Sequence, residues 1–220
     1  MSNRFIELGA ISMLLKEKVA VVTSGGRGIG RAIAKKFATE GASMVVTARS
    51  QKEIDEVSAE IRAAGGEASS VVADVSREQD CQKIVDRARQ AFGRIHILVN
   101  NAGVLGPVRP VEQTTTSEWD KVMAVNLRGP FMLSRFVLPE MYEHGSGAIL
   151  NIVSIAAKAA FQLNAGLGRV KSRIDRLDPH ARSRGSAQRC ARECAEPGTG
   201  SGDENVERIR ARTCRLFQRG

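Results

Sequence analysis

Val19-Ala20-Val21-Val22-Thr23-Ser24-Gly25-Gly26-Arg27-Gly28-Ile29-Gly30 is an apolar run, then a glycine-rich turn, then the first turn of a helix. The run has no polar alternation, as in a strand buried on both faces. Ile29, Ala32, Ile33 and Phe37 then recur at helical spacing. A glycine-rich turn lets the backbone approach a ligand closely, and the helix behind it offers unpaired N–H groups and the positive end of its dipole. The stretch reads as a strand, an anion-binding turn and a helix, although a tight turn with no ligand also fits when it is read in isolation.

The same alternation continues outward. Met44–Thr47 reads as a second strand, and Ile54, Val57 and Ile61 as a helix ended by Gly65-Gly66. Ser70–Ala73 is a third strand, followed by a stripe at Cys81, Ile84, Val85, Ala88 and Phe92 that Gly93 stops. Ile95–Val99 is a fourth strand, a longer helix starts near Ser117, and Ala148–Val153 is a fifth strand. This order predicts an α/β fold of the Rossmann type, a doubly wound parallel sheet truncated to about five strands and followed by an irregular tail. The 220 residues suit one domain, and 42% hydrophobic with 26% charged residues suits a globular class. No apolar run is long enough for a membrane span, and the N-terminus is a poor secretory signal, so a cytoplasmic protein is expected. Cys81, Cys190, Cys194 and Cys214 form no disulfide framework.

Ligands in such sheets sit beyond the carboxyl ends of the strands. There this chain has the Thr23–Gly30 turn, Asp74 after strand three, Asn100-Asn101-Ala102-Gly103 after strand four and Ser154 after strand five. Together with Val125-Asn126-Leu127 on the long helix and Asn151-Ile152-Val153-Ser154, these motifs resemble the short-chain dehydrogenase/reductase family over about residues 14–166, and its 3-oxoacyl-carrier-protein reductases in particular. Ser24 departs from the pattern, standing where the family has glycine, and its Cβ at a tight turn is expected to weaken cofactor binding.

The resemblance implies an NAD(P)-dependent oxidoreductase that passes hydride between a nicotinamide and a keto or secondary alcohol group. It implies cofactor contacts from Thr23, Ser24, Arg27, Gly28, Ile29 and Gly30, with Asp74 and Val75 flanking the adenine and Asn101, Ala102 and Gly103 bordering the adenosine ribose. Charge bears on the choice of cofactor. An acidic residue just after strand two would bind ribose hydroxyls and favour NAD, but the chain has Ala48-Arg49-Ser50. Arg49 suits a 2′-phosphate, and Arg27 adds a second charge, so NADP(H) is expected, with NAD(H) possible.

For catalysis the resemblance assigns Ser154 to the substrate oxygen and Asn126 to a water linking the catalytic lysine to solvent. A tyrosine would move the proton, its pKa lowered from about 10 by a lysine one helical turn later. The tyrosine position falls on Leu167 and the lysine position on Lys171, so the acid is absent and the chain as written is expected to be inactive or nearly so. The alternatives are a nucleotide-binding protein without catalysis and, more weakly, nucleic-acid binding through a basic tail.

That tail breaks the pattern. Gly168–Gly220 carries thirteen basic and seven acidic side chains, +6 of the chain's +9, without sustained periodicity. Degenerate codons for Lys171–Arg182, read one nucleotide out of phase, can give Lys-Ala-Gly-Leu-Ile-Gly-Leu-Thr-Arg-Thr-Leu-Ala, which is similar to the family's active-site helix. Cys190–Gly198 can give Val-Arg-Val-Asn-Ala-Leu-Ser-Pro-Gly, similar to its sixth strand and following turn. A single-nucleotide shift near codon 167 accounts for both. The expected organisation is an N-terminal extension over residues 1–13, a nucleotide-binding domain over 14–167 and an out-of-frame, disordered tail over 168–220. The family is commonly homo-oligomeric, but the helix that forms its interface is not legible here. The expected partner is a small carbonyl or alcohol substrate, with no membrane or nucleic acid. His180, Cys190 and Cys194 match no strong zinc spacing, so no metal is expected.

Overall fold

A computed structural model describes residues 13–153. The 1–12 segment, Ser154, Leu167, Lys171 and the basic tail lie outside the described residues. Five strands, β1 (Val19–Thr23), β2 (Ser43–Ala48), β3 (Ala68–Val72), β4 (Ile97–Asn100) and β5 (Ala148–Asn151), form one parallel sheet in the order β3-β2-β1-β4-β5. The helices are α1 (Gly28–Thr39), α2 (Gln51–Ala63), α3 (Glu78–Phe92), α4 (Thr116–Met123) and α5 (Gly129–Glu143). The expected alternation is borne out. The one long helix expected from Ser117 is α4 and α5 joined by a widened π-type turn at Ala124–Arg128.

Alternate residues of each strand feed two cores. Val21, Val45, Val71 and Leu98 pack with Ile84, Val85 and Ala88 of α3 and Leu133 and Val137 of α5. Ala20, Val22, Met44, Val46, Ile97 and Val99 pack on the other face with Ala34 of α1 and Ile54, Val57 and Ile61 of α2. Each of the Val, Leu, Ile and Met side chains among them contributes about 1.5–3 kcal/mol when fully buried. The outer edge of β3 is guarded: Arg62 donates to the Ala68 carbonyl at 2.9 Å and Lys83 to the Val72 carbonyl at 3.1 Å. Cations on edge carbonyls discourage pairing with another strand. Among the described residues β5 is the opposite outer strand, and no described helix is long and apolar enough to cross a membrane.

The chain runs from β1 outward through β2 and β3, then returns to place β4 on the other side of β1. The switch point therefore lies between the carboxyl ends of β1 and β4, where a parallel sheet opens a crevice. The glycine turn and the Asn101–Gly103 segment flank that crevice.

Candidate functional site

The turn leaving β1 is tied to both neighbouring strands. Gly25 N–H donates to the Thr47 carbonyl at 3.0 Å, anchoring it to β2. On the β4 side, Thr23 Oγ1 donates to the Val99 carbonyl and accepts from Asn101 N–H at 3.0 Å and Ala102 N–H at 2.9 Å. Asn101 Nδ2 donates to the carbonyls of Thr23 at 2.9 Å and Ser24 at 3.3 Å. Thr23 and Asn101 thus lock the first half of the turn, and the Asn101 carboxamide, expected beside a ribose, is engaged on the turn's backbone.

The second half of the turn is open. Arg27, Gly28 and Ile29 are exposed, and α1 starts at Gly28 with no side-chain cap and no acidic residue in its first turn. Gly30 is where closeness is enforced: a Cβ there would lie 2.3 Å from the Ser24 oxygen and 2.5 Å from Asn101 Nδ2. Ser24 has φ +52°, a left-handed conformation that is strained for a residue other than glycine. The strain falls where the family pattern has glycine. An uncapped helix start behind an accessible glycine turn fits a pyrophosphate group, which such N–H groups and dipole attract.

Around the mouth, Arg49 is exposed after β2, and Asp74 and Val75 follow β3. Burial pushes the Asp74 carboxyl up, but the hydroxyl and N–H of Ser76, with Arg49 and Arg77 nearby, outweigh it and leave the group below its ordinary value. Val75 is buried, and Gly129 at the start of α5 packs against it. A Cβ on Gly129 would meet the Val75 oxygen at 2.8 Å. Asn126 is fully buried in the π-type turn; its Oδ1 accepts from Val104 N–H at 2.8 Å and its Nδ2 donates to the Val104 carbonyl at 2.9 Å. It therefore clasps the chain just past Gly103. Thr23, Ser24, Arg27, Gly28, Ile29, Gly30, Arg49, Asp74, Val75, Asn101, Ala102 and Gly103 all gather at the carboxyl ends of the first four strands. Ser154 and Lys171 lie outside the described residues.

Sequence reading missed Gly129 and Glu53, and named Asn100 only as part of the motif after strand four. Gly129 carries no signal without knowing that α5 returns to Val75. Asn100 faces Asn151 in register across β4 and β5, its Nδ2 donating to Asn151 Oδ1 at 2.9 Å. Glu53, in the first turn of α2, packs on Gly26; the signal that would have pointed to it, Ser50-x-x-Glu53, reads as a helix cap.

A sequence profile described as short chain dehydrogenase matches residues 18–171. An uncharacterized oxidoreductase of Thermotoga maritima is 39% identical over 144 residues, 66% of this chain and 56% of that protein. The uncharacterized oxidoreductase YxbG of Bacillus subtilis is 37% identical over 163 residues, 74% of this chain and 59% of that protein. The chain thus spans little more than half the length of these curated relatives. Among solved structures, a metagenomic short-chain oxidoreductase in complex with NADP superposes with a TM-score of 0.79 at 33% identity, covering 93% of this chain and 94% of that one. A 7α-hydroxysteroid dehydrogenase complexed with NADH and 7-oxo glycochenodeoxycholic acid gives 0.72 at 35% identity, covering 76% and 64%.

Proposed function

We propose, because the chain belongs to the short-chain dehydrogenase family, that its crevice binds NADP(H) in preference to NAD(H), in the service of hydride transfer to or from a keto or secondary alcohol group. The observation that carries this reading is the turn itself. An uncapped α1 start, an accessible Gly28 and a backbone approach at Gly30 that excludes a Cβ stand between two exposed guanidinium groups, Arg27 and Arg49. The pyrophosphate would lie on the first turn of α1, and Arg49 would pair with a 2′-phosphate. Asp74 and Val75 would border the adenine, and Ala102 and Gly103 the adenosine ribose. A nicotinamide dinucleotide, when bound, supplies or accepts the hydride.

The chain's own part would be to hold the substrate oxygen and move a proton. Ser154 would donate a hydrogen bond to that oxygen, and Asn126 would hold the loop beyond Gly103 while its helix turn orders a water toward Lys171. Leu167 occupies the proton donor's position and has no proton to give, so the chain as written binds coenzyme without appreciable turnover. Non-catalytic nucleotide binding is therefore the second reading, and Leu167 is the residue that favours it. We attribute the loss to a single-nucleotide shift near codon 167. On this reading 14–167 is the nucleotide-binding domain, 1–13 an extension and 168–220 an out-of-frame tail without the family's interface helix. The setting is cytoplasmic and the substrate a small carbonyl or alcohol compound.

Calorimetric titration of the full chain with NADPH and NADH tests the binding reading; heat with NADPH is expected, and silence with both coenzymes overturns it. Turnover on ketone and alcohol panels should appear only when Leu167→Tyr is combined with a restored frame. Coding DNA across codons 160–175 with no shifted-frame continuation would end the frameshift account.

A further inference from the structure

Two helices of this fold begin with the same four-residue signature, and only one uses it fully. In α4, Thr115 Oγ1 accepts from Glu118 N–H, while the Glu118 carboxylate returns to the Thr115 N–H at 3.0 Å, a complete capping box. In α2, Ser50 Oγ accepts from Glu53 N–H at 3.4 Å, but the Glu53 carboxylate does not return to the Ser50 N–H. Among the described residues that carboxylate has no hydrogen-bond or ion-pair partner. Its helix neighbours Asp55 and Glu60 are bonded to Gln51 and Ser70, and to Arg31 and Lys35.

The Glu53 side chain is turned against the glycine turn. A Cβ built on Gly26 would lie 2.7 Å from Glu53 Cβ and 3.2 Å from Glu53 Oε2. The half-buried Glu53 therefore stands beside Gly26 of the glycine turn, one helical turn past Ser50 at the end of the β2 connection. A dinucleotide whose pyrophosphate rests on α1 would carry its adenosine ribose past that turn toward the end of β2. Dinucleotide folds place an acidic group on the ribose hydroxyls about twenty residues past the glycine turn. The strand-end position has Arg49 here, but Glu53 follows Gly30 by twenty-three residues.

We infer that Glu53 is a coenzyme-selecting residue, whose carboxylate accepts from an adenosine-ribose hydroxyl and repels a 2′-phosphate, so that it opposes the preference set by Arg49. The inference rests on the dinucleotide reading of the crevice. It sets the Glu53 carboxylate against the guanidinium groups of Arg27 and Arg49.

The test is calorimetric titration of the full-length chain and its Glu53→Gln variant with NADPH and NADH, at low and high salt. The isosteric amide should bind NADPH several-fold more tightly and NADH more weakly, moving the affinity ratio by roughly tenfold, and the shift should shrink in salt. A purely structural role would weaken both coenzymes alike. If the wild-type chain binds a coenzyme and the ratio moves less than about twofold in the variant, where the lost charge alone should do more, the inference fails and the dinucleotide reading stands. If the wild-type chain binds neither, both fall together.

Discussion

The two walls of the crevice are built differently. On the α1 side the glycine turn is fastened to β2 and β4 by Thr23, Gly25 and Asn101, and Gly30 admits no side chain. On the far side the segment from Val104 to Thr115 is held at Val104 by Asn126, at Arg109 by Glu118 and at Thr115 by the same Glu118, while Leu105 and Val111 between these points are 66% and 64% exposed. The first wall has its geometry before any ligand arrives, and such preorganisation lowers the cost of binding. Over the described residues the second wall presents apolar surface that nothing covers. Coenzyme binding should therefore be sensitive to changes on the first wall and nearly indifferent to changes on the second.

Gly30→Ala is the strongest attempt to break that contrast. The added methyl runs into the Ser24 carbonyl and the Asn101 amide, so the variant should lose about 3 kcal/mol of stability and all measurable NADPH heat. Binding retained within a few-fold would show that the turn is not the contact surface. Asn126→Ala comes next, because it strips both partners from the Val104 backbone, at a cost of about 2 kcal/mol by urea denaturation. Amide exchange should quicken at Val104 and stay slow at Asn101, if the walls are independent.

A smaller effect belongs to the opposite end of the strands. His96 Nδ1 accepts from Val19 N–H at 3.1 Å, a bond that a protonated ring cannot accept. Burial, then Arg94 and Lys18, hold its pKa below the ordinary value, against weaker opposition from a backbone bond and Glu140. The unfolded chain therefore takes up the proton first, and stability present above about pH 6.5 should decline as pH falls below it. Urea midpoints between pH 8 and 5 should show this decline, and His96→Gln should flatten it while leaving NADPH affinity at pH 8 unchanged. Smallest of all, Leu105→Ser with Val111→Ser should change stability by less than about 0.5 kcal/mol and leave coenzyme binding intact. A large loss would mean that this apolar wall is covered after all.

Much of the nucleotide side was legible because its signals are local. The apolar run before Thr23, the four glycines after it and the polar residues closing each strand follow from periodicity and turn chemistry within a few residues of chain. What was not legible depends on residues distant in sequence. Asn101 is occupied with Thr23 and Ser24, seventy-eight and seventy-seven positions earlier. Asn126 reaches back to Val104, and Gly129 is needed only because α5 crosses Val75. Glu53 reads as a cap from its spacing to Ser50, and the contact with Gly26 is what turns its carboxylate elsewhere.

The primary structure alone determined the strand-and-helix rhythm, the family and the charges at the crevice mouth, since each is a property of neighbouring residues or of their identity. Only the tertiary fold decided which polar groups are already bonded and which are left for a ligand. Hydrogen-bond partners are chosen by proximity in space, and Thr23, Asn101 and Asn126 meet theirs across turns, strands and helices that chain order does not place side by side.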